Sequence, residues 1–360
     1  MKKQLSILTS ALVLSSSAVL ADSNSLEKAF ENSNVSGDIS VHNQTWNNDS
    51  SNDAGFTAGS IGLNYETDTF NGFKVEAGFR ANHEFSEKED GDYEAEFEND
   101  AIMNIANISY STDNFSVKIG RQEIDLEWLG DYNEAIVAST SIIPNTALVA
   151  GYTNRIAAIA QDESKNFEDI GNDGAYVIDA KFEGIKNTVL NPYYYSAEDI
   201  ASFYGLKADY DSDIVGLTAH YAASNEDVST EEDGNILHLE ARTNLNGLDL
   251  ALGYIKTDKD GAIGSLDTLG DNIDPTEELG VYGNDEKTIY TTASYTISDV
   301  ELSALYAQVD RANSNKDKEI TLGAAYSFNK SISADVMYTD ISKDSDDDQS
   351  KLAMNLVYSF

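Results

Sequence analysis

The chain is 360 residues long and has no cysteine, so disulfide and thiolate chemistry are closed to it. Its 63 acidic against 23 basic side chains leave a net charge of -40 with no basic stripe, which excludes nucleic acid as a partner. Beyond the N-terminal leader no segment reaches 18 consecutive apolar residues, so membrane-spanning helices are excluded. A barrel is not, because only alternate residues of its strands meet lipid.

Residues 1–21 read as a secretory signal: Lys2 and Lys3, an apolar run from Leu5 to Val19, then the small-residue site Val19-x-Ala21 before Asp22. No Cys follows, so lipidation is out. A Cys-free, Tyr-rich β chain sent along this route points to the envelope of a Gram-negative bacterium. Residues 22–34 form a periplasmic lead-in, where Asn24 and Glu27 stand at capping-box spacing for one or two helical turns.

From residue 35 the pattern changes to period-2 rows separated by turn chemistry. The first rows are Val35, Ile39, Val41 and then Ile61, Leu63, Tyr65. A short break leads to Phe73, Val75, Ala77 and Phe79, and a long acidic break to Ile102, Ala106, Ile108 and Tyr110. Phe115, Val117 and Ile119 then run into Gly120-Arg121-Gln122. Residues 134–143 suit helix or strand by pattern. Elsewhere short and long breaks alternate, and that alternation survives only if 134–143 is a strand and Pro144-Asn145 a short turn. Twelve further rows follow, from Leu148, Ala150, Tyr152 to the last stretch, SKLAMNLVYSF.

The total is eighteen segments, with sixteen as the alternative count. The expected fold is all-β: a transmembrane antiparallel barrel over residues 35–360, with short periplasmic turns and long extracellular loops. Many rows end in Tyr, among them Tyr65, Tyr110, Tyr210, Tyr254, Tyr306 and Tyr338, as an interfacial girdle requires. A soluble sandwich of this length would want two cores and more than three prolines at its edges. The final strand ends on Phe360, with Leu356 and Tyr358 on the same row. It resembles the C-terminal signature of bacterial outer-membrane barrels, which the barrel-assembly machinery reads.

If the apolar rows face lipid, the intervening rows face a lumen. That places Lys74, Glu76, Arg80, Lys118, Arg155, Glu240 and Arg242 inside as channel-lining residues, with Asp125 and Glu127 in the break after Gly120. Arg121 has the parity of the lipid row and reaches the lumen only if Gly120 forms a bulge or the strand has left the membrane. A basic side chain on the lipid face near midplane would cost about 2–4 kcal/mol. Acidic interiors concentrate cations, so a weak cation preference is expected. No catalytic residues stand out, since neither G-x-S-x-G nor H-E-x-x-H occurs. His220 and His238, on inward rows, read as polar lining. No metal site and no cofactor are expected, and the faint calcium-loop look of Asp258-x-Asp260-Gly261 has the wrong spacing.

Six stretches carry a family resemblance: VSGDISV, VKIGRQEIDLEWLGDYNEAIV, IIPNTALVAGYTNR, NPYYY, DGNILHLEAR and the terminal LVYSF. Together they resemble the Opr-type porins of epsilonproteobacteria, related to the OprD-like eighteen-stranded channels. The resemblance implies an outer-membrane porin for ions and small hydrophilic solutes, moving by passive diffusion through a bore narrowed by an inward-folded loop. Residues 123–133 and 258–286 are the candidates for that loop. It also implies outer-membrane lipid, lipopolysaccharide and the assembly machinery as partners, and porins are usually trimers. OprD-like channels for acidic substrates carry an arginine ladder. This chain has only Arg80, Arg121, Arg155, Arg242 and Arg311, which sets a carboxylate-specific substrate aside. The alternatives are a plugged structural barrel or adhesin and, more remotely, a barrel enzyme using His220 or His238.

Overall fold

The computed structural model describes residues 23–49, 51–344 and 347–360. The signal segment at 1–21 lies outside the described residues. A short helix, α1 (Leu26–Glu31), opens the described chain, and its cap is Ser25, whose hydroxyl accepts from Lys28 N–H at 3.2 Å. The Asn24 capping box expected from spacing is therefore displaced by one residue. A Ser in extended conformation does the same work for the free helical N–H groups.

The rest is β. In chain order the strands are β1 (Asn34–Asn48), β2 (Ala54–Glu66), β3 (Phe73–Glu87), β4 (Ala101–Thr112), β5 (Phe115–Glu123), β6 (Tyr132–Thr140) and β7 (Thr146–Ala157). Then come β8 (Glu168–Asp169), β9 (Ala175–Ile185), β10 (Thr188–Ala197), β11 (Ala201–Asp211), β12 (Gly216–Glu226) and β13 (Asn235–Leu245). The last six are β14 (Leu248–Thr257), β15 (Lys287–Ile297), β16 (Val300–Asp310), β17 (Lys316–Ser327), β18 (Ile332–Ser342) and β19 (Gln349–Ser359). β8 is a two-residue patch on the end of β7. The other eighteen pair antiparallel with their sequence neighbours, β7 directly with β9.

Closure is made by β1 on β19, in register from Asp38 opposite Ser359 to Asn48 opposite Gln349. Gly37 and Phe360 exchange both backbone hydrogen bonds at 3.0 Å, so the terminal residue is tied into the ring. A closed sheet has no bare edge, which is the condition for strands in lipid. The segment expected over 134–143 is a strand with other bounds: β6 covers Tyr132–Thr140, and residues 141–145 turn it into β7. Asn145 takes the left-handed conformation at φ +56°, as a short turn after Pro needs.

Burial is inverted relative to a soluble domain. On β1, Ser40, His42 and Gln44 are buried while Ile39 and Val41 are exposed. The same holds on β12, where His220 is buried and Leu217 and Tyr221 are exposed, and on β17, where Glu319 and Thr321 are buried and Ile320 and Leu322 are exposed. Polar rows inside and apolar rows outside are what a membrane barrel requires. One expected lipid-row residue departs. The β3–β4 register shifts between Gly78 and Arg80, and Ile102 packs instead against a buried cluster of Ala157, Ile159 and Phe167. An extra residue in one strand turns the side chain beyond it to the other face.

Candidate channel site

The interior is built by segments that leave the strand ends and fold back into the ring. The first is residues 124–131, between β5 and β6. Ile124, Leu126, Trp128 and Leu129 are buried against Val149, Val177, Tyr193, Tyr195 and Phe203 of the wall. Trp128 donates its indole N–H to the Tyr193 hydroxyl at 2.8 Å, and that hydroxyl is bonded to His220 Nε2 at 2.7 Å. The alternation of apolar and acidic residues in EIDLEWL thus has a two-sided meaning: Ile124, Leu126 and Trp128 bury, while Asp125 stays exposed. Glu127 breaks the pattern. It is buried and held by Lys207 Nζ at 3.0 and 3.2 Å.

The second is residues 258–286. Ile263, Leu266, Leu269, Ile273, Leu279 and Val281 join the same apolar cluster. The two loops are stitched together, with Gly130 N–H on Leu269 O at 3.0 Å and the Asn272 amide on Leu126 O at 2.7 Å. Both segments named from the sequence therefore fold inward.

Two further segments were not anticipated. Residues 158–167 carry Gln161 to the Asp38 carboxylate at 3.5 Å and bury Ile159 and Phe167. Residues 88–100 bury Tyr93 and Phe97 on Phe56 of β2, the first two stacked at 4.6 Å. The signal was present but faint. Tyr93 and Phe97 stand four apart in an acidic break, which is the spacing of one helical face. Ile159 and Phe167 are lone apolar residues in another break.

The expected lining residues fall into local ion-pair groups. Lys74 and Lys118 share Glu76, at 3.6 and 3.0 Å. Arg80 makes a two-pronged pair with Asp38 at 2.7 and 3.1 Å and also donates to Ser60 at 2.7 Å. Arg242 pairs with Asp211 at 2.8 Å and bonds Thr218 at 2.7 Å, with Glu240 at 3.7 Å. Glu240 in turn accepts from the Tyr290 hydroxyl at 2.6 Å. Arg121 and Arg155 are brought together on Glu134, at 2.7 and 3.4 Å.

Gly120 has φ +119°, where only glycine is at ease, and a Cβ there would strike Ala106 O at 2.2 Å. The β5–β6 register nevertheless runs unshifted through it, so Arg121 keeps the parity of Ile119. Its charge is met by Glu134, by Met103 O at 2.7 Å and by the face of Phe167, 4.1 Å from the ring centroid. At the C-terminus, Leu356, Tyr358 and Phe360 are all exposed on the apolar outer row, the last two rings stacked at 5.9 Å.

Asp162, Glu277, Glu301 and Asp335 line one cavity of about 170 Å³, with Ser303, Asn355, His42 and Lys351. Burial sets the proton affinity of several loop groups. Asp131 is pushed up to about 6 by burial, with Glu163 adding to it. Asp274 is pushed up to about 6 by burial against the hydrogen bonds of Thr276, with Asp271 and Glu319 adding their charge. The Tyr93 hydroxyl is raised to about 12, again by burial first. Among the described residues no group of three or more His, Asp or Glu is arranged to hold a metal ion.

A closed eighteen-stranded barrel with an apolar outside, a polar inside and loops folded into its lumen is a membrane channel architecture. The Gram-negative porin family matches residues 8–347, and the chain belongs to that family. Its fold is similar to the crystal structure of Pseudomonas aeruginosa OpdO, with TM-score 0.75 and 14% identity over 93% of this chain and 98% of that one. P. aeruginosa OccK8 (OprE) matches with TM-score 0.76 and 13% identity, over 92% and 98%. Acinetobacter baumannii OccAB4 matches with TM-score 0.73 and 15% identity, over 91% and 98%. No curated protein sequence matches the chain at a significant level. The protein is an outer-membrane porin.

Proposed function

We propose that this porin passes ions and small hydrophilic solutes by passive diffusion with a preference for cations. One observation carries the preference: all five arginines are engaged by carboxylates, Arg80 by Asp38, Arg121 and Arg155 by Glu134, Arg242 by Asp211, and Arg311 by Glu286 and Asp317. The positive field of the arginines is cancelled where it arises. Asp162, Glu277, Glu301 and Asp335 meanwhile gather round one cavity. Carboxylate groups lining a water-filled passage favour cations.

On this reading Lys74, Glu76, Arg80, Lys118, Arg121, Glu127, Arg155, Glu240 and Arg242 act as paired groups that set the local field, while Asp125 stays exposed and adds its charge to the inserted loop. None is a free anion site. P. aeruginosa OpdK has been solved with vanillate, a carboxylate, and has TM-score 0.74 and 13% identity to this chain. An acid of that kind does not suit a wall whose arginines are already paired. The reading extends to the finer likeness with epsilonproteobacterial Opr-type porins and to export through the periplasm by residues 1–21. It also takes in assembly through the Leu356, Tyr358, Phe360 row, contact with lipopolysaccharide and a homotrimer.

Reconstitution in planar bilayers tests it. Step conductance with a reversal potential on the cation side in a KCl gradient is expected, and an anion-side potential overturns the preference. A second reading, a plugged structural barrel, is favoured by the apolar packing of residues 124–131 and 258–286 inside the ring. It predicts silent bilayers and no liposome swelling from folded protein.

A further inference from the structure

The apex of the second inserted loop, residues 277–280, has no strand or helix to satisfy its backbone. It receives three charged partners from three separate elements. Glu319 of β17, fully buried, accepts the N–H groups of Glu277, Glu278 and Leu279 at 2.8, 3.0 and 2.9 Å. Its carboxylate also takes the Thr321 hydroxyl at 3.0 Å. Arg311, between β16 and β17, donates to Leu279 O at 3.1 Å and Gly280 O at 3.2 Å, and is itself held by Glu286 and Asp317 at 2.8 and 2.7 Å. Lys351 of β19 pairs with the Glu278 carboxylate and lies over the Trp46 ring at 5.0 Å. Gly280 supplies the reversal at φ +70°.

Three successive N–H groups on one carboxylate form an anion-holding nest, here filled by the protein's own side chain. One anion takes the donors of the apex and one cation takes its acceptors. Lifting the apex would leave the buried Glu319 carboxylate with the Thr321 hydroxyl in place of three further N–H donors, which is strongly unfavourable. On the other side Leu279 and Val281 are buried in the apolar cluster. The apex is therefore pinned from both faces, beside the acidic cavity that Glu277 and Lys351 line.

We infer that Glu319, with Arg311 and Lys351, is a positioning clamp that fixes residues 277–280 as a crossbar in the lumen and so sets unit conductance. The inference rests on the channel reading above. The test is single-channel recording of wild type, Glu319→Ala, Glu319→Gln and Lys351→Met, each first shown to be folded by heat-modifiable gel mobility.

Glu319→Ala is expected to raise conductance by about twofold and to increase open-channel noise, because the crossbar no longer obstructs a fixed part of the passage. Glu319→Gln, which keeps acceptor oxygen but loses the charge, is expected to fall between. Lys351→Met keeps the side-chain stem on Trp46 and releases only Glu278, so a smaller rise in the same direction is expected. It carries the test if Glu319→Ala does not fold. In a chain whose residues 262–283 are replaced by a short Gly-Ser turn, Glu319→Ala should add nothing. Folded variants with wild-type conductance and noise overturn the clamp, as does an equal effect of Glu319→Ala with the loop removed. A silent wild type would instead overturn the channel reading.

Discussion

The inner wall has two unlike arcs. From β6 round to β16 it is met by the inserted loops through apolar contact: Trp128, Leu129, Leu266 and Leu269 on Tyr193, Tyr195, Phe203, Ile236 and Ile255. From β17 through the closure to β4 its buried groups are mostly polar, among them Glu319, Thr321, Thr339, Lys351, His42, Gln44, Ser60, Asn82 and Asn104, with Phe56, Ala58, Ile341 and Ala353 as the apolar exceptions. The first arc is a protein core assembled inside a barrel, and the hydrophobic effect holds it. The second arc holds the 277–280 apex by charge, takes residues 88–100 on Phe56, and is otherwise polar enough to hydrate ions. On the proposed channel reading the difference separates two jobs that a uniform bore would have to combine, anchoring on one side and passage on the other.

The comparison breaks most directly at Trp128. Its side chain is fully buried and carries a hydrogen bond to Tyr193. Trp128→Ala should destabilise the loop packing by about 3–5 kcal/mol. It would also leave the Tyr193 hydroxyl short of a donor. Urea titration in detergent and open-channel noise measure the two consequences, and unchanged values would mean that the apolar arc anchors nothing.

A second change tests whether the arcs differ only inside. Leu252 is 59% exposed on the outer face of β14, on the apolar arc. Leu252→Arg should cost about 2–4 kcal/mol of barrel stability in lipid vesicles. The equivalent outward position Leu322 on β17, on the polar arc, should cost a similar amount. A large disparity would show that one of the two faces is not in contact with lipid.

The polar arc has its own probe. Asp335 is bonded by Asn355 at 2.8 Å and lines the acidic cavity, so Asp335→Asn keeps shape and removes one charge. Cation-over-anion permeability should fall by roughly a factor of two, read from the reversal potential. No change would place the conducting path elsewhere.

Much of this was legible in the sequence for a simple reason. Strand position and lipid facing are written with period 2, so Ile39, Val41, Leu217 and Leu322 declare themselves one row at a time. The alternation of short and long breaks settled β6, where local pattern did not. The interior is less legible, because its contacts join residues far apart in the chain. Nothing near Glu319 in the sequence says that it will meet residues 277–279. Long breaks read as extracellular loops, yet Tyr93, Phe97, Ile159 and Phe167 pull two of them inward. Gly120 announced an unusual backbone position, and the structure keeps the strand register through it while Glu134 and Phe167 take up the charge of Arg121.

The smallest effect, and the one most specific to the two loops, is their response to pH. Asp131 and Asp274 lie in the inserted segments, and burial raises both to about 6. A carboxyl raised by folding binds its proton more tightly in the packed loop than in the open one. Its contribution favours packing fully below the ordinary carboxylate value and is lost as pH rises through about 6. The channel should therefore be quieter and slightly less conducting at acid pH, and noisier above neutrality. Asp274→Asn holds the group neutral and should remove part of this dependence. Asp131→Asn with it should remove the rest, and asparagine suits the left-handed backbone at position 131, where φ is +58°. Noise and conductance of the double variant should be flat across the interval near pH 6. A wild-type profile in that variant would show that the proton is read by groups outside the apolar arc.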